Sequence, residues 1–83
     1  MRPGETLLDM VRRHVRRGAA HVRQQEELVR HLEATGSPLL EDARALLAEF
    51  IASQTAHLTH LGQLEDEVRA GRRDAGGNLR LRI

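Results

Sequence analysis

The chain has 83 residues, enough for one small domain, and its 13 basic and 12 acidic side chains nearly cancel. This balance gives no indication of a nucleic-acid or membrane partner. The absence of cysteine excludes disulfides and thiolate metal sites, and no apolar stretch approaches the roughly 20 residues of a membrane span. Without a signal-peptide pattern, we expect a bacterial protein of the reducing cytoplasm.

The first predicted helix runs from about residue 7 to about residue 34, after a lead of residues 1–5. Thr6 and Asp9 form a capping-box pattern at its start, and Gly36 is suited to the left-handed residue that ends it. An apolar stripe with alternating steps of three and four keeps one seam facing a partner helix, as in a coiled coil. The stripe consists of Leu8, Val11, Val15, Gly18, Val22, Gln25, Val29 and Leu32.

A turn at 35–37 leads to a second predicted helix over about 38–70, with Ser37 as its N-cap and Gly71 as its stop. Its stripe is Leu40, Ala43, Leu47, Phe50, Gln54, His57, Leu61, Leu64 and Val68. So short a turn makes the helices antiparallel, so that residues 6–71 form an all-α helical hairpin. We expect 72–83 to be a flexible basic tail; the alternative is strand addition to a partner by 79–83.

Further apolar residues widen both stripes: Leu7 and Leu28 on the first helix, and Leu39, Leu46, Ile51 and Leu58 on the second. A stripe this broad is typical of helices with two neighbours. Small chains often complete a thin core by oligomerising. We therefore predict a homodimer that forms a four-helix bundle; the alternative is a monomeric hairpin that binds a different protein.

Polar and small residues interrupt the seam near its middle. In the hairpin register Gly18 lies opposite Gln54 and His57, and Gln25 lies opposite Leu47 and Phe50. Burying polar groups costs free energy unless they are hydrogen-bonded, and their usual benefit is to set register and oligomer number. The predicted core or dimer seam comprises Val15, Gly18, Val22, Gln25, Leu47, Phe50, Gln54 and Leu61.

Histidines suggest a metal site in the same region. His57 and His60 are three residues apart on one helix, and His14 is expected to face them from the other. Three imidazoles with a water molecule suit zinc or another divalent metal. The alternative is that these histidines are hydrogen-bonded packing residues.

The segment His14-Val15-Arg16-Arg17-Gly18 resembles the His-x-x-Lys-Gly signature of histidine phosphotransfer domains. The resemblance implies that His14 accepts a phosphoryl group, that Arg17 is the nearby cation and that Gly18 leaves space for a docking domain. The basic run to which these arginines belong is also compatible with phosphate contacts. We favour its compensation by the acidic residues 65–67 of the second helix, so nucleic-acid binding is not expected.

A wider pattern covers about two-thirds of the chain. It consists of His14-Val15, Gly18, Val22, Gln25, Leu28-Val29 and Leu32, then Leu46-Leu47, Phe50, His57 and His60. In this spacing the chain resembles small helical-hairpin proteins of alphaproteobacteria. The resemblance implies the hairpin fold and no particular activity. Since the residues supply no nucleophile with a base and no paired carboxylates, we expect a non-enzymatic interaction module or small regulator with an unidentified protein partner.

Overall fold

The protein, described by a computed structural model over residues 2–80, is a hairpin of two long helices. Helix α1 spans Leu7–Thr35 and helix α2 spans Leu40–Arg69, and the two pack against each other along an elongated molecule of 62 × 23 × 15 Å. The predicted all-α hairpin is confirmed. Within the described residues, neither helix is apolar enough over a sufficient length to cross a membrane.

Local hydrogen bonds determine both ends of α1, as predicted. The Thr6 hydroxyl accepts from the main-chain N–H of Asp9 at 3.0 Å, and the Asp9 carboxylate accepts from the Thr6 N–H at 3.4 Å. Gly36 ends the helix with a left-handed φ of 65°. Such a conformation favours glycine because it has no Cβ. These interactions satisfy main-chain groups that have no partner within the helix.

The start of α2 differs from the prediction. Its N-cap is Leu39 and its first helical residue is Leu40, so Ser37 and Pro38 lie in the connection. The Ser37 hydroxyl accepts from the Leu39 N–H at 3.1 Å, and the Ser37 carbonyl accepts from the Leu40 N–H at 3.3 Å. Ser37 thus forms a tight turn with the residues after it, a local bond that competes with its role as N-cap.

Residues of both apolar stripes lie between the helices. The most buried apolar residues are Leu8, Val11, Val29, Ala43 and Leu64. Three of them (Leu8, Val11 and Leu64) form a cluster at the end of the hairpin opposite the connection. The middle of the seam, in contrast, holds the polar residues described below. A single hairpin therefore has a thin core, divided between its two ends.

The C-terminal segment, predicted to be a flexible tail, forms a hydrogen-bonded turn within residues 72–80. Residues 72–80 turn back on themselves, with an isolated antiparallel bridge between Arg73 and Leu79. The Asp74 carboxylate accepts from the main-chain N–H groups of Gly76 and Asn78 at 2.9 and 3.0 Å. Asp and Gly favour turns of this kind. The prediction of a flexible tail was based on the basic composition of the segment and did not take these turn residues into account. Residues 81–83, which belong to the segment considered for strand addition, lie outside the described residues.

This C-terminal turn packs onto the start of α1. The Gly76 carbonyl accepts from the Leu8 N–H at 2.9 Å, which supplies a partner for an otherwise unpaired donor of the first turn. Gly77 is buried with a φ of 88°, and a Cβ there would lie 3.4 Å from the Leu8 nitrogen. Arg73 pairs with Glu67 of α2 and donates to the Gly77 carbonyl at 2.8 Å. Both helices therefore hold the turn.

Candidate functional site

A groove of about 270 Å³ lies at the middle of the hairpin, between α1 and α2. It is lined by His14, Arg17, Gly18, His21, Phe50, Ser53, Gln54 and His57. It thus brings together most of the polar residues to which the sequence analysis assigned a role. It adds Ser53, and His21, whose ring lies 5.8 Å from that of Phe50.

Gly18 and Gln54 are opposite each other at the centre of this groove, as the heptad register predicts. The Gln54 amide donates to the main-chain carbonyl of Val15 at 2.7 Å. A Cβ on Gly18 would lie only 1.9 Å from the Gln54 side-chain oxygen. Glycine is therefore needed at this position so that the Gln54 side chain can reach across to α1.

Gln25 makes the reciprocal bond from α1 to α2. Its side chain is buried and donates to the main-chain carbonyl of Ala43 at 2.9 Å. The bond lies nearer the connection than the predicted layer with Leu47 and Phe50, because the amide reaches along the helix to a carbonyl. Each helix thus donates one glutamine side chain to the backbone of the other, and these bonds set the register.

His14 and His57 form a pair across the two helices. Their ring centroids are 5.7 Å apart and their planes are inclined by 41°. The Nδ1 atom of His57 is buried and has no hydrogen-bond partner among the described residues. Of the predicted metal ligands, His14 and His57 come together.

His60 does not join this pair. It is exposed and does not line the groove, although it is only three residues from His57. Within residues 2–80, no group of three or more histidine, aspartate or glutamate side chains is placed to hold a metal ion. The three-histidine site predicted from the sequence is therefore not formed.

The three residues on which the histidine phosphotransfer resemblance rests lie together, but the space that it assigns beside Gly18 is filled. His14, Arg17 and Gly18 all line the groove. The side of Gly18 that the resemblance assigns to a docking domain is, however, occupied by the Gln54 amide. The small residue serves a contact within the hairpin.

The two long sides of the hairpin differ in character. On one side, Leu28, Leu39 and Leu46 are 44, 60 and 40% exposed and border an apolar groove of about 280 Å³ near the connection. Leu28 occupies the same heptad position as His14 and His21, so this groove and the central one lie on the same side. We call this side the leucine–histidine face: Leu28, Leu39, Leu46, His14 and His21.

The opposite side carries ion pairs between the helices. Arg12 contacts Glu65 at 3.6 Å near one end, and Arg44 contacts Glu33 at 3.5 Å near the other. Glu65 and Arg44 share a heptad position with Ile51, which lies between them. We call this side the charged face. The Arg12–Glu65 contact agrees with the predicted compensation of the basic run.

Arg13 has a different partner from the one predicted. It makes two hydrogen bonds to Glu5, of 2.9 and 3.0 Å, from side chains that are largely covered. These bonds lower the pKa of Glu5 from 4.5 to about 2. The Arg73 hydrogen bond likewise lowers the pKa of Glu67. Many charged side chains at the end of the hairpin opposite the connection therefore pair with each other.

Comparison with protein-family models, curated proteins and solved structures finds no match to this chain.

Proposed function

We propose that the chain is a non-enzymatic protein-interaction module that acts as a homodimer, with two hairpins packed through their leucine–histidine faces into a four-helix bundle. The observation that carries the proposal is the exposure of Leu28, Leu39 and Leu46 around one apolar groove. Contiguous exposed apolar side chains of this kind are typical of interaction surfaces. A further protein partner would then bind the assembled dimer.

The surface area of the hairpin supports this proposal. The accessible surface is 6055 Å² for a chain of 9.3 kDa. A compact monomer of that mass exposes about 5,000 Å², so the hairpin exposes roughly 1,000 Å² more. A standard stable interface buries about 800 Å² on each partner. The additional exposed surface of the hairpin is therefore similar to the area that a second copy would bury on it.

The charged face also exposes Ile51 and Leu58, at 48 and 51%, but its ion pairs make it the poorer dimer surface. Burying its two interhelical ion pairs would remove charged groups from water, a cost that their mutual attraction often fails to offset. The leucine–histidine face carries uncharged leucines at the corresponding positions near the connection. This difference favours the leucine–histidine face for the second copy.

The test is the molar mass of the untagged protein in solution, measured by light scattering after gel filtration. We expect a dimer for the natural sequence and a monomer for Leu46→Glu, since this substitution places a charge in the buried face. Leu58→Glu is the matched control: Leu58 is 51% exposed on the same helix but shares the heptad position of Ile51 on the charged face. A monomeric natural protein, or equal effects of the two substitutions, would contradict the proposal.

A further inference from the structure

We propose that His14 and His57 bind a divalent transition-metal ion, with zinc as the reference case. Both ligands belong to one chain, so the site needs no residue from a second copy, although its groove lies on the leucine–histidine face. It differs from the three-histidine site predicted from the sequence because His60 takes no part.

The separation of the two rings fits a shared ion. A zinc ion lies about 2.0 to 2.1 Å from an imidazole nitrogen, and hence about 3.2 Å from the ring centre. When the angle at the ion between the two rings is tetrahedral or trigonal, these distances place the ring centres about 5.2 or about 5.5 Å apart. The observed separation of His14 and His57 is 5.7 Å. The two rings are therefore close to the separation that a shared ion requires.

The groove also contains buried side-chain polar atoms without hydrogen bonds. Among residues 2–80, the buried side-chain polar atoms that lack a partner are His57 Nδ1 and Gln54 Oε1, and both residues line this groove. The orientation of the Gln54 amide follows from its bond to Val15, because a carbonyl oxygen can accept only from the amide nitrogen. An unpaired buried acceptor costs free energy, and a cation relieves that cost.

The remaining lining residues define the kind of ion. None of them carries a carboxylate, and the charged one, Arg17, is exposed. Calcium and magnesium prefer several oxygen ligands, whereas imidazole favours zinc, copper and nickel. Water molecules would complete the coordination. The site therefore suits a nitrogen-binding transition metal.

The test uses untagged full-length protein, freed of metal with a chelator and titrated with zinc chloride in a calorimeter. We expect one zinc ion per chain and a higher temperature of unfolding with zinc. His14→Gln and His57→Gln should each weaken zinc binding at least tenfold, since even the loss of a group that only orients a ligand costs about 10- to 100-fold. His60→Gln is the matched control and should bind zinc as the natural protein does.

Three results would overturn the site. These are the absence of zinc binding in the natural protein, a loss in His60→Gln as large as in the two ligand variants, and stabilisation by inorganic phosphate but not by zinc. Circular dichroism shows whether each variant is folded, and His14→Gln, at a half-buried position, provides the test if His57→Gln unfolds. Zinc binding by Leu46→Glu separates the two proposals: it should persist in a monomer, and its loss there would contradict a site within one chain.

Discussion

Gln54 of α2 donates its side-chain amide to the main-chain carbonyl of Val15 in α1, through the space left by Gly18. Gln25 makes the reciprocal bond from α1 to the Ala43 carbonyl of α2. Sliding one helix by a turn would break both bonds and leave buried polar groups unpaired. The two glutamines therefore specify the register that places His14 beside His57.

The contact between Gly18 and Gln54 predicts strong coupling between substitutions at these positions. Gly18→Ala should stabilise the Gln54→Ala variant by about 1 kcal/mol, the usual gain for replacing glycine within a helix. In the natural background that gain should be lost, because the new methyl group displaces the Gln54 oxygen, 1.9 Å from the Cβ position, and breaks the bond to Val15. Urea unfolding of all four proteins should give a coupling energy of about 1 kcal/mol. Additive effects would contradict the described contact.

The pairing of Glu5 with Arg13 predicts a dependence of stability on acidic pH. The pKa of Glu5 is lowered from 4.5 to about 2 by its Arg13 hydrogen bonds, so the folded protein binds this proton less readily than the unfolded chain. Its contribution should be fully present above pH 4.5 and lost as the pH falls towards 2. We expect Glu5→Gln to lower the temperature of unfolding at pH 6, with a difference from the natural protein that shrinks on acidification.

Glu49→Gln is the control for that comparison, since Glu49 is an exposed position on α2. It should change the unfolding temperature little at either pH. The natural protein alone is not sufficient, because hydrogen bonds also lower the pKa values of Glu67 and Asp74. A Glu5→Gln difference that is constant with pH would show that the Arg13 pair does not control this titration.

The packing of the C-terminal turn predicts opposite effects for two glycine substitutions. Gly77→Ala should destabilise the protein by about 1 to 2 kcal/mol, because φ is 88° at that position and left-handed backbone is costly with a Cβ. It should also speed hydrogen exchange at the Leu8 amide, which the turn protects. Gly62→Ala should stabilise by up to about 1 kcal/mol, since Gly62 lies within α2 with open space around its Cβ position. If the turn is not held, Gly77→Ala will leave Leu8 exchange unchanged.

The position of the exposed leucines predicts the orientation of the proposed dimer. They lie near the connection, so overlap of the two apolar patches puts both connections at the same end and α1 of one copy against α2 of the other. A mixture of Leu28→Cys and Leu46→Cys should therefore form a disulfide-linked dimer faster than either variant alone. The chain has no natural cysteine to interfere.

Ala45→Cys serves as the control for that experiment, since Ala45 is exposed and adjacent to Leu46 but points away from the seam. Its rate of cross-linking measures random collisions. Faster linkage of Leu46→Cys with itself than with Leu28→Cys would indicate the opposite orientation of the two hairpins.

The sequence-based predictions were correct where the interaction that determines a feature joins residues close together in the chain. Thr6 caps α1 through Asp9, three residues away, so its role is readable from the sequence. The spacing of His57 and His60 was misleading, since residues three apart need not reach the same groove. The docking of the C-terminal turn on α1 was not predicted, because it involves Leu8, which is distant along the chain.

By itself, the sequence determined two antiparallel helices and the residues of their seam, because heptad spacing and capping bonds act over a few residues. Only the tertiary structure decided how the polar seam residues pair, which histidines meet and where the C-terminal turn lies. Those features depend on side chains that reach between separate segments. Their partners are set by the register of packing and by the space that Gly18 leaves.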